Sequence, residues 1–128
     1  MNHIEHAEQV KIFTWAFYQQ KKYPCLEFMH ASMSGEKFGN QKQAYRAKQA
    51  GMRAGVPDIF LPFPNSKYAG LFIELKRPIR KGTSKPTISD EQHRWIQHLS
   101  KVGYQAVICF GAEEAIKTIE NYLGQSNG

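Results

Sequence analysis

Apolar positions along this chain follow two periods, and the switches between them lay out its elements. From residue 3 to about 20, Ile4, Ala7, Val10, Phe13 and Phe17 recur at steps of three and four, the spacing of one helix face. Lys21, Lys22 and Pro24 close that helix, since the residue before a proline is driven out of the α region. Cys25 to His30 is short and apolar-rich and reads as a strand, after which Ser32-Met33-Ser34-Gly35 breaks regular structure. Asn40 to Met52 is polar, basic and alanine-containing, which predicts a second helix with Gly51 near its end.

Gly55-Val56-Pro57 turns into the strand Asp58-Ile59-Phe60-Leu61, closed by Pro62 and Pro64. Asn65-Ser66-Lys67-Tyr68 is a hairpin connection to the next strand, Gly70 to Lys76, and Pro78 ends that strand. Ser89, with Gln92 three residues on, is a capping-box signature for a helix that buries Trp95, Ile96 and Leu99 and ends near Gly103. Tyr104 to Phe110 is almost wholly apolar, which predicts a strand interior to the sheet with both faces covered. Ala112 to Leu123 reads as a last helix with Ala115, Ile116, Ile119 and Leu123 on one side. This order implies one α/β domain with a mixed central sheet flanked by helices, spanning residues 1–124, and a short tail at 125–128.

Composition narrows the class. With 128 residues, 41% hydrophobic and 12% aromatic, the chain can build a core. No apolar run approaches the ~20 residues of a membrane span, and the first residues lack the basic start and apolar stretch of a signal peptide. Cys25 and Cys109 sit in apolar segments and read as reduced, buried thiols without a disulfide. These features predict a cytoplasmic protein with no membrane partner. Lys and Arg number 17 against 11 Asp and Glu, and the resulting net charge of +6 points to a polyanionic partner.

The candidate chemistry lies on the paired strands. Asp58 opens one and Glu74-Leu75-Lys76 closes the next. In a hairpin, Asp58 lies beside the exit of the second strand, and Glu74 and Lys76, two apart, project from one face. Two carboxylates and a lysine at one sheet edge suit metal-assisted phosphodiester hydrolysis. Asp58 and Glu74, with the Leu75 backbone carbonyl as a third oxygen, would hold Mg²⁺ or Mn²⁺. Lys76 would orient or deprotonate the attacking water, or stabilise charge on the phosphate. The bare pattern fits a pair of solvated strand-end charges equally well.

The surrounding residues go further. Gly51-Met52-Arg53-Ala54-Gly55-Val56-Pro57-Asp58-Ile59-Phe60-Leu61, Gly70-Leu71-Phe72-Ile73-Glu74-Leu75-Lys76-Arg77-Pro78 and Ser89-Asp90-Glu91-Gln92-His93-Arg94-Trp95 closely resemble the VRR-NUC family, a branch of the PD-(D/E)xK nuclease superfamily. The resemblance takes in the opening Glu5-His6-x-x-Gln9 and the closing Gly111-x-Glu113-Glu114-Ala115-Ile116 with Tyr122-Leu123. It implies a restriction-endonuclease-like core and divalent-metal nuclease activity, with Asp58 and Glu74 as metal ligands, Lys76 as the catalytic lysine and Gln92 as the fourth motif residue. Gln92 also reads simply as a capping-box partner. An acidic residue on the first helix often completes such sites. Glu5 fits the family's opening better than Glu8, although a glutamate favoured by the helix dipole fits Glu5 as well. After His30 the chain reads Ala31-Ser32-Met33-Ser34-Gly35 where many members carry Asn-Gly, so no substrate contact is implied for that loop.

Charge completes the expectation. Lys37, Lys42, Arg46, Lys48 and Arg53 form one acid-free stretch, and Lys76, Arg77, Arg80, Lys81 and Lys85 another. Placed on either side of the acidic pair, they would hold phosphates of DNA; a solvated helix face and a loop are the plainer reading. Gly82, Thr83, Ser84 and Pro86 predict that the second stretch is a mobile loop. No base-reading module is present, so recognition of DNA structure is expected over sequence. Stand-alone members resemble Holliday-junction resolvases. The expectation is therefore an Mg²⁺- or Mn²⁺-dependent endonuclease resolving four-way junctions as a homodimer in a bacterial or phage-infected cell, with the first or last helix as interface. A monomeric flap or nicking endonuclease, and a non-catalytic DNA-binding accessory protein, are the alternatives.

Overall fold

The computed structural model describes residues 2–32 and 39–124. In chain order it places α1 (His3–Tyr18), a 3₁₀ turn (Pro24–Phe28), β1 (His30–Ala31), α2 (Gln41–Gln49), β2 (Ile59–Leu61), β3 (Leu71–Lys76), α3 (Asp90–Lys101), β4 (Gln105–Phe110) and α4 (Ala112–Gly124). The sheet order is β1-β2-β3-β4: β1, β2 and β3 pair antiparallel, and β4 returns parallel to β3 after α3. This is the mixed α/β architecture expected from the sequence, and it is a restriction-endonuclease-like fold.

Asn65 builds the β2–β3 connection. Its Oδ1 accepts the N–H groups of Lys67 and Tyr68, and its amide donates to the Tyr122 carbonyl near the end of α4. Ile59, Leu61, Leu71, Ile73, Leu75 and Cys109 face one side of the sheet, where they are buried with Ile12 and Ala16 of α1 and Ala115 and Ile119 of α4. Each such aliphatic side chain contributes roughly 1.5–3 kcal/mol by leaving water. Strand alternation sends Phe60, Phe72, Glu74 and Lys76 to the opposite face. There the Phe60 and Phe72 rings stack at 4.1 Å and Tyr104 meets both edge-on. Gly70 permits this, since a Cβ at that position would fall 2.9 Å from the Phe60 ring.

Three expectations need correction. The buried stripe of α1 is Glu8, Ile12 and Ala16, while Ile4, Val10 and Phe17 are exposed. Pro24 to Phe28 is a 3₁₀ turn and only His30–Ala31 is a strand, because Pro24 starts a helical turn that a short apolar run does not distinguish from a strand. β4 is an edge strand among the described residues, and its apolar character reflects packing against both α3 and α4. Within the loop after β3, Arg77 donates to the Ser84 carbonyl, Thr83 bonds the Arg80 carbonyl, and the Lys85 ammonium sits over the Phe110 ring. Met33 to Gly35, and Lys37, lie outside the described residues. Both cysteines are free, Cys109 buried and Cys25 half-buried. Among the described residues no helix is long and apolar enough to cross a membrane.

The charged member of the α1 stripe has a structural task. Glu8 Oε1 accepts the Ala112 N–H at 3.1 Å, one of the donors that the first turn of α4 leaves without a helical acceptor. Its Oε2 accepts Lys11 Nζ at 2.6 Å. The Lys11 hydrogen bond, with help from the Ala112 N–H, holds the carboxyl below the usual range against the opposing effect of burial. Gly111, with φ +93°, makes the turn beneath it; a Cβ there would press on Pro78 at 3.0 Å and on Glu8 at 3.2 Å. Replacing Glu8 with Ala is expected to cost about 1–2 kcal/mol in denaturant unfolding, the usual loss for a helix-capping acceptor. Replacement with Gln, which keeps an acceptor oxygen, is expected to recover part of it.

Candidate active site

Pro57 has no N–H to extend the sheet ladder, and regular pairing of β2 begins only at Ile59, opposite Ile73. One step further in the same register sets Asp58 opposite Glu74. Here a side chain takes over from the backbone: Asp58 Oδ2 accepts the Leu75 N–H at 2.7 Å. The Asp58 carbonyl is held from the other side by the Ser32 N–H at 2.7 Å. The N–H and C=O of one strand residue point to the same edge. The Lys76 carbonyl faces β4, where Gly111 donates to it at 2.9 Å, so the Leu75 carbonyl turns towards Asp58.

Asp58, Glu74 and Lys76 are 7%, 3% and 8% exposed, which excludes the reading of solvated strand-end charges. Burial, followed by the hydrogen bond and charge of Asp58, pushes Glu74 up to about 9. Lys76 opposes the rise, and the Glu5 carboxylate on the first turn of α1 adds to it. Glu5 is thus the α1 acid whose charge is felt at the pair, while Glu8 is committed to α4.

Gln92 does both things that its sequence position suggested. Its Oε1 accepts the Ser89 N–H at 2.9 Å while its own N–H bonds Ser89 Oγ at 3.1 Å, closing a capping box. The same Oε1 accepts Lys76 Nζ at 3.0 Å. The cap therefore fixes the rotamer that meets the lysine. Gly55 sets α3 against the loop leading to Asp58: its φ is +89°, and a Cβ would fall 2.6 Å from the Glu91 backbone. Trp95 Nε1 donates to the Ala54 carbonyl at 3.0 Å across the same contact.

The ion pairs among the described residues are Lys11–Glu8 and Lys117–Glu113, so neither Asp58 nor Glu74 is neutralised by one. Two adjacent buried carboxylates and a main-chain carbonyl turned towards them are a hard-oxygen donor set, and they fit Mg²⁺ or Mn²⁺. No group of three or more His, Cys, Asp or Glu forms a fuller cage among the described residues, which leaves further positions to water.

The basic residues divide. Lys42 and Arg46 project from α2, which buries none of its side chains. Lys48 and Arg53 line a cleft against α3. Arg77 is engaged within its own loop, Lys85 lies over the Phe110 ring of β4, Arg80 acts on Glu8, and Lys81 is exposed. Sequence reasoning missed Arg94 and His98, which complete that cleft from α3. Their signal was available, because residues 91, 94, 95 and 98 share one helix face.

A buried two-carboxylate and lysine centre on a mixed α/β sheet fits the nuclease class. The VRR-NUC domain model matches residues 5–113, and the chain belongs to the VRR-NUC family. A solved structure described as a VRR_NUC domain protein superposes with a TM-score of 0.77 at 26% identity, covering 98% of this chain and 93% of that one. No curated protein matches the sequence. Membership implies a DNA-acting nuclease of the PD-(D/E)xK type.

The raised carboxyl has a thermodynamic sign. As pH climbs from the ordinary 4.5 towards about 9, the unfolded chain releases a proton that folded Glu74 retains, so stability falls across that window. At pH 7 the difference is about 3 kcal/mol. In EDTA, Glu74→Gln is therefore expected to melt higher than the parent protein at pH 8. Mg²⁺ or Mn²⁺ is expected to raise the parent's Tm more at pH 8 than at pH 6, because binding must displace the proton, and to leave Glu74→Gln nearly unmoved. Scanning calorimetry with and without metal checks both; a Glu74→Gln protein that melts lower in EDTA contradicts the assignment.

Proposed function

We propose that this chain is a divalent-metal-dependent, structure-selective DNA endonuclease that resolves four-way junctions as a homodimer in the cytoplasm of a bacterial or phage-infected cell. The observation that carries the reading is the convergence of Asp58, Glu74, Lys76 and Gln92, with Glu5 nearby, at one end of β3. Asp58, Glu74 and the Leu75 carbonyl would hold Mg²⁺ or Mn²⁺. When bound, the ion supplies Lewis-acid charge at the scissile phosphate and makes a neighbouring water more acidic. Lys76, aimed by the Gln92 oxygen, orients the attacking water and offers charge to the phosphate. The water oxygen bonds to phosphorus and gives up a proton to solvent, the bond to one ester oxygen breaks, and that oxygen leaves after taking a proton from solvent. Lys42, Arg46, Lys48, Arg53, Arg77, Arg80, Lys81 and Lys85 supply the phosphate contacts that position the DNA.

Cutting two strands symmetrically calls for two such sites, and α1 offers the better interface. The apolar side of α4 is spent in the core through Ala115, Ile119 and Leu123. The outward face of α1 carries a shallow groove lined by Gln9, Val10, Phe13, Thr14, Phe17 and Tyr18 without a charged residue. Val10, Phe17 and Tyr18 are exposed. An uncharged patch on a molecule of net charge +6 favours a second copy, since the pairing surfaces do not repel.

With four-way junction, flap, splayed-arm and linear duplex DNA in Mg²⁺ or Mn²⁺, the junction is expected to be cut fastest. Asp58→Ala and Lys76→Ala are each expected to lose about 100-fold or more in rate while still binding junctions in Ca²⁺. Equal cutting of all four substrates rejects junction selectivity, and undiminished cutting by the variants removes the site. Phe17→Glu is expected to sediment as a monomer at micromolar concentration where the parent sediments as a dimer. A variant that remains dimeric moves the interface elsewhere.

A further inference from the structure

Next to the carboxylate centre lies a cleft of about 520 Å³ whose α3 wall has no part in the proposed function. One wall is the outer face of α3, presenting Arg94, Trp95 and His98; the other is the end of α2 and its following turn, presenting Lys48 and Arg53. Three permanent cations outnumber the one carboxylate, Glu91, which sits on the first turn of α3 where the helix dipole favours it. Trp95 is held by its indole N–H on the Ala54 carbonyl, so the ring is fixed between the walls and half-buried. A rigid aromatic ring among arginines is the combination that grips an unpaired nucleotide, by stacking on its base and pairing with its phosphates. The volume lies within the range of about 300–1,000 Å³ typical of small-molecule sites. A base within a duplex keeps its faces stacked on its neighbours and cannot offer one to a ring lining such a cleft.

Both walls lead to the site. Ala54 is four residues before Asp58, a reach of at most about 14 Å along the chain. The helix turn bearing Glu91 also bears Gln92, whose oxygen meets Lys76. We propose that this cleft binds an unpaired nucleotide of the DNA substrate beside the cleavage site, with the base on Trp95 and the phosphates on Arg53 and Arg94. The proposal rests on the nuclease reading and names a feature of its substrate: a branch point where a base can leave the stack.

Trp15 and Trp95 are the two tryptophans, so Trp15→Phe leaves Trp95 as the sole indole reporter. Titrating that protein with an oligo-dT strand in Ca²⁺ is expected to quench its fluorescence, and a blunt duplex of equal length is expected to leave it nearly unchanged. Adding Arg94→Gln is expected to weaken oligo-dT binding about tenfold, as for loss of one charge-assisted contact. Duplex binding, read by anisotropy, should change less than twofold. Quenching by duplex to the same extent, equal weakening on both DNAs, or no quenching at all overturns the proposal. Because no cutting is required, binding without cleavage under Mg²⁺ would count against the nuclease reading alone, and cleavage without Trp95 quenching against the cleft alone.

Discussion

The hydrogen bond from the Leu75 N–H to the Asp58 carboxylate is the constraint on which the rest of the site depends. It lies where Pro57 ends the backbone ladder, and it replaces a missing strand acceptor with a charged one. Hydrogen bonds to charged groups contribute about 1.5–3 kcal/mol, enough to hold a carboxylate out of water beside another. Burial, with the hydrogen bond and charge of Asp58, then pushes Glu74 far up, so that it keeps its proton near neutral pH. Among the described residues no ion pair balances the two carboxylates.

Around that bond the helices act as fixed supports. Gly55 brings the loop before Asp58 against α3, Trp95 ties the contact to Ala54, and the capping box holds Gln92 against Lys76. From the other side, Gly111 clamps the Lys76 carbonyl and Glu8 clamps the start of α4. The two glutamates of α1 differ: the charge of Glu5 adds to the rise of Glu74, while Glu8 accepts the Ala112 N–H at the start of α4. No member of the group rests on an unanchored loop, as a centre that must place groups within fractions of an ångström requires.

Much of this was legible from sequence because it is local. Strand alternation, the turn chemistry of Asn65 and the Ser89-to-Gln92 spacing each depend on neighbours within a few residues, and the structure bears out the elements they predict. What failed depends on distant partners. The periodicity of α1 picked its apolar residues, but the core wanted a carboxylate at Glu8 to meet a helix end 104 positions away. The continuous apolar run of β4 recorded two covering helices and said nothing of its place in the sheet. Arg94 and His98 were passed over because their significance comes from facing Lys48 and Arg53, which only the Gly55 contact brings opposite them.

The central claim is that the Asp58–Glu74 pair is a divalent-cation centre. Anomalous diffraction from crystals soaked in Mn²⁺ tests it most directly. A divalent-cation centre there gives a peak bounded by the Asp58 and Glu74 carboxylates and the Leu75 carbonyl, present in the parent protein and lost in Asp58→Ala. A peak elsewhere with this site bare, or a Glu74 carboxyl still hydrogen-bonded to Asp58 in saturating Mn²⁺, would contradict it.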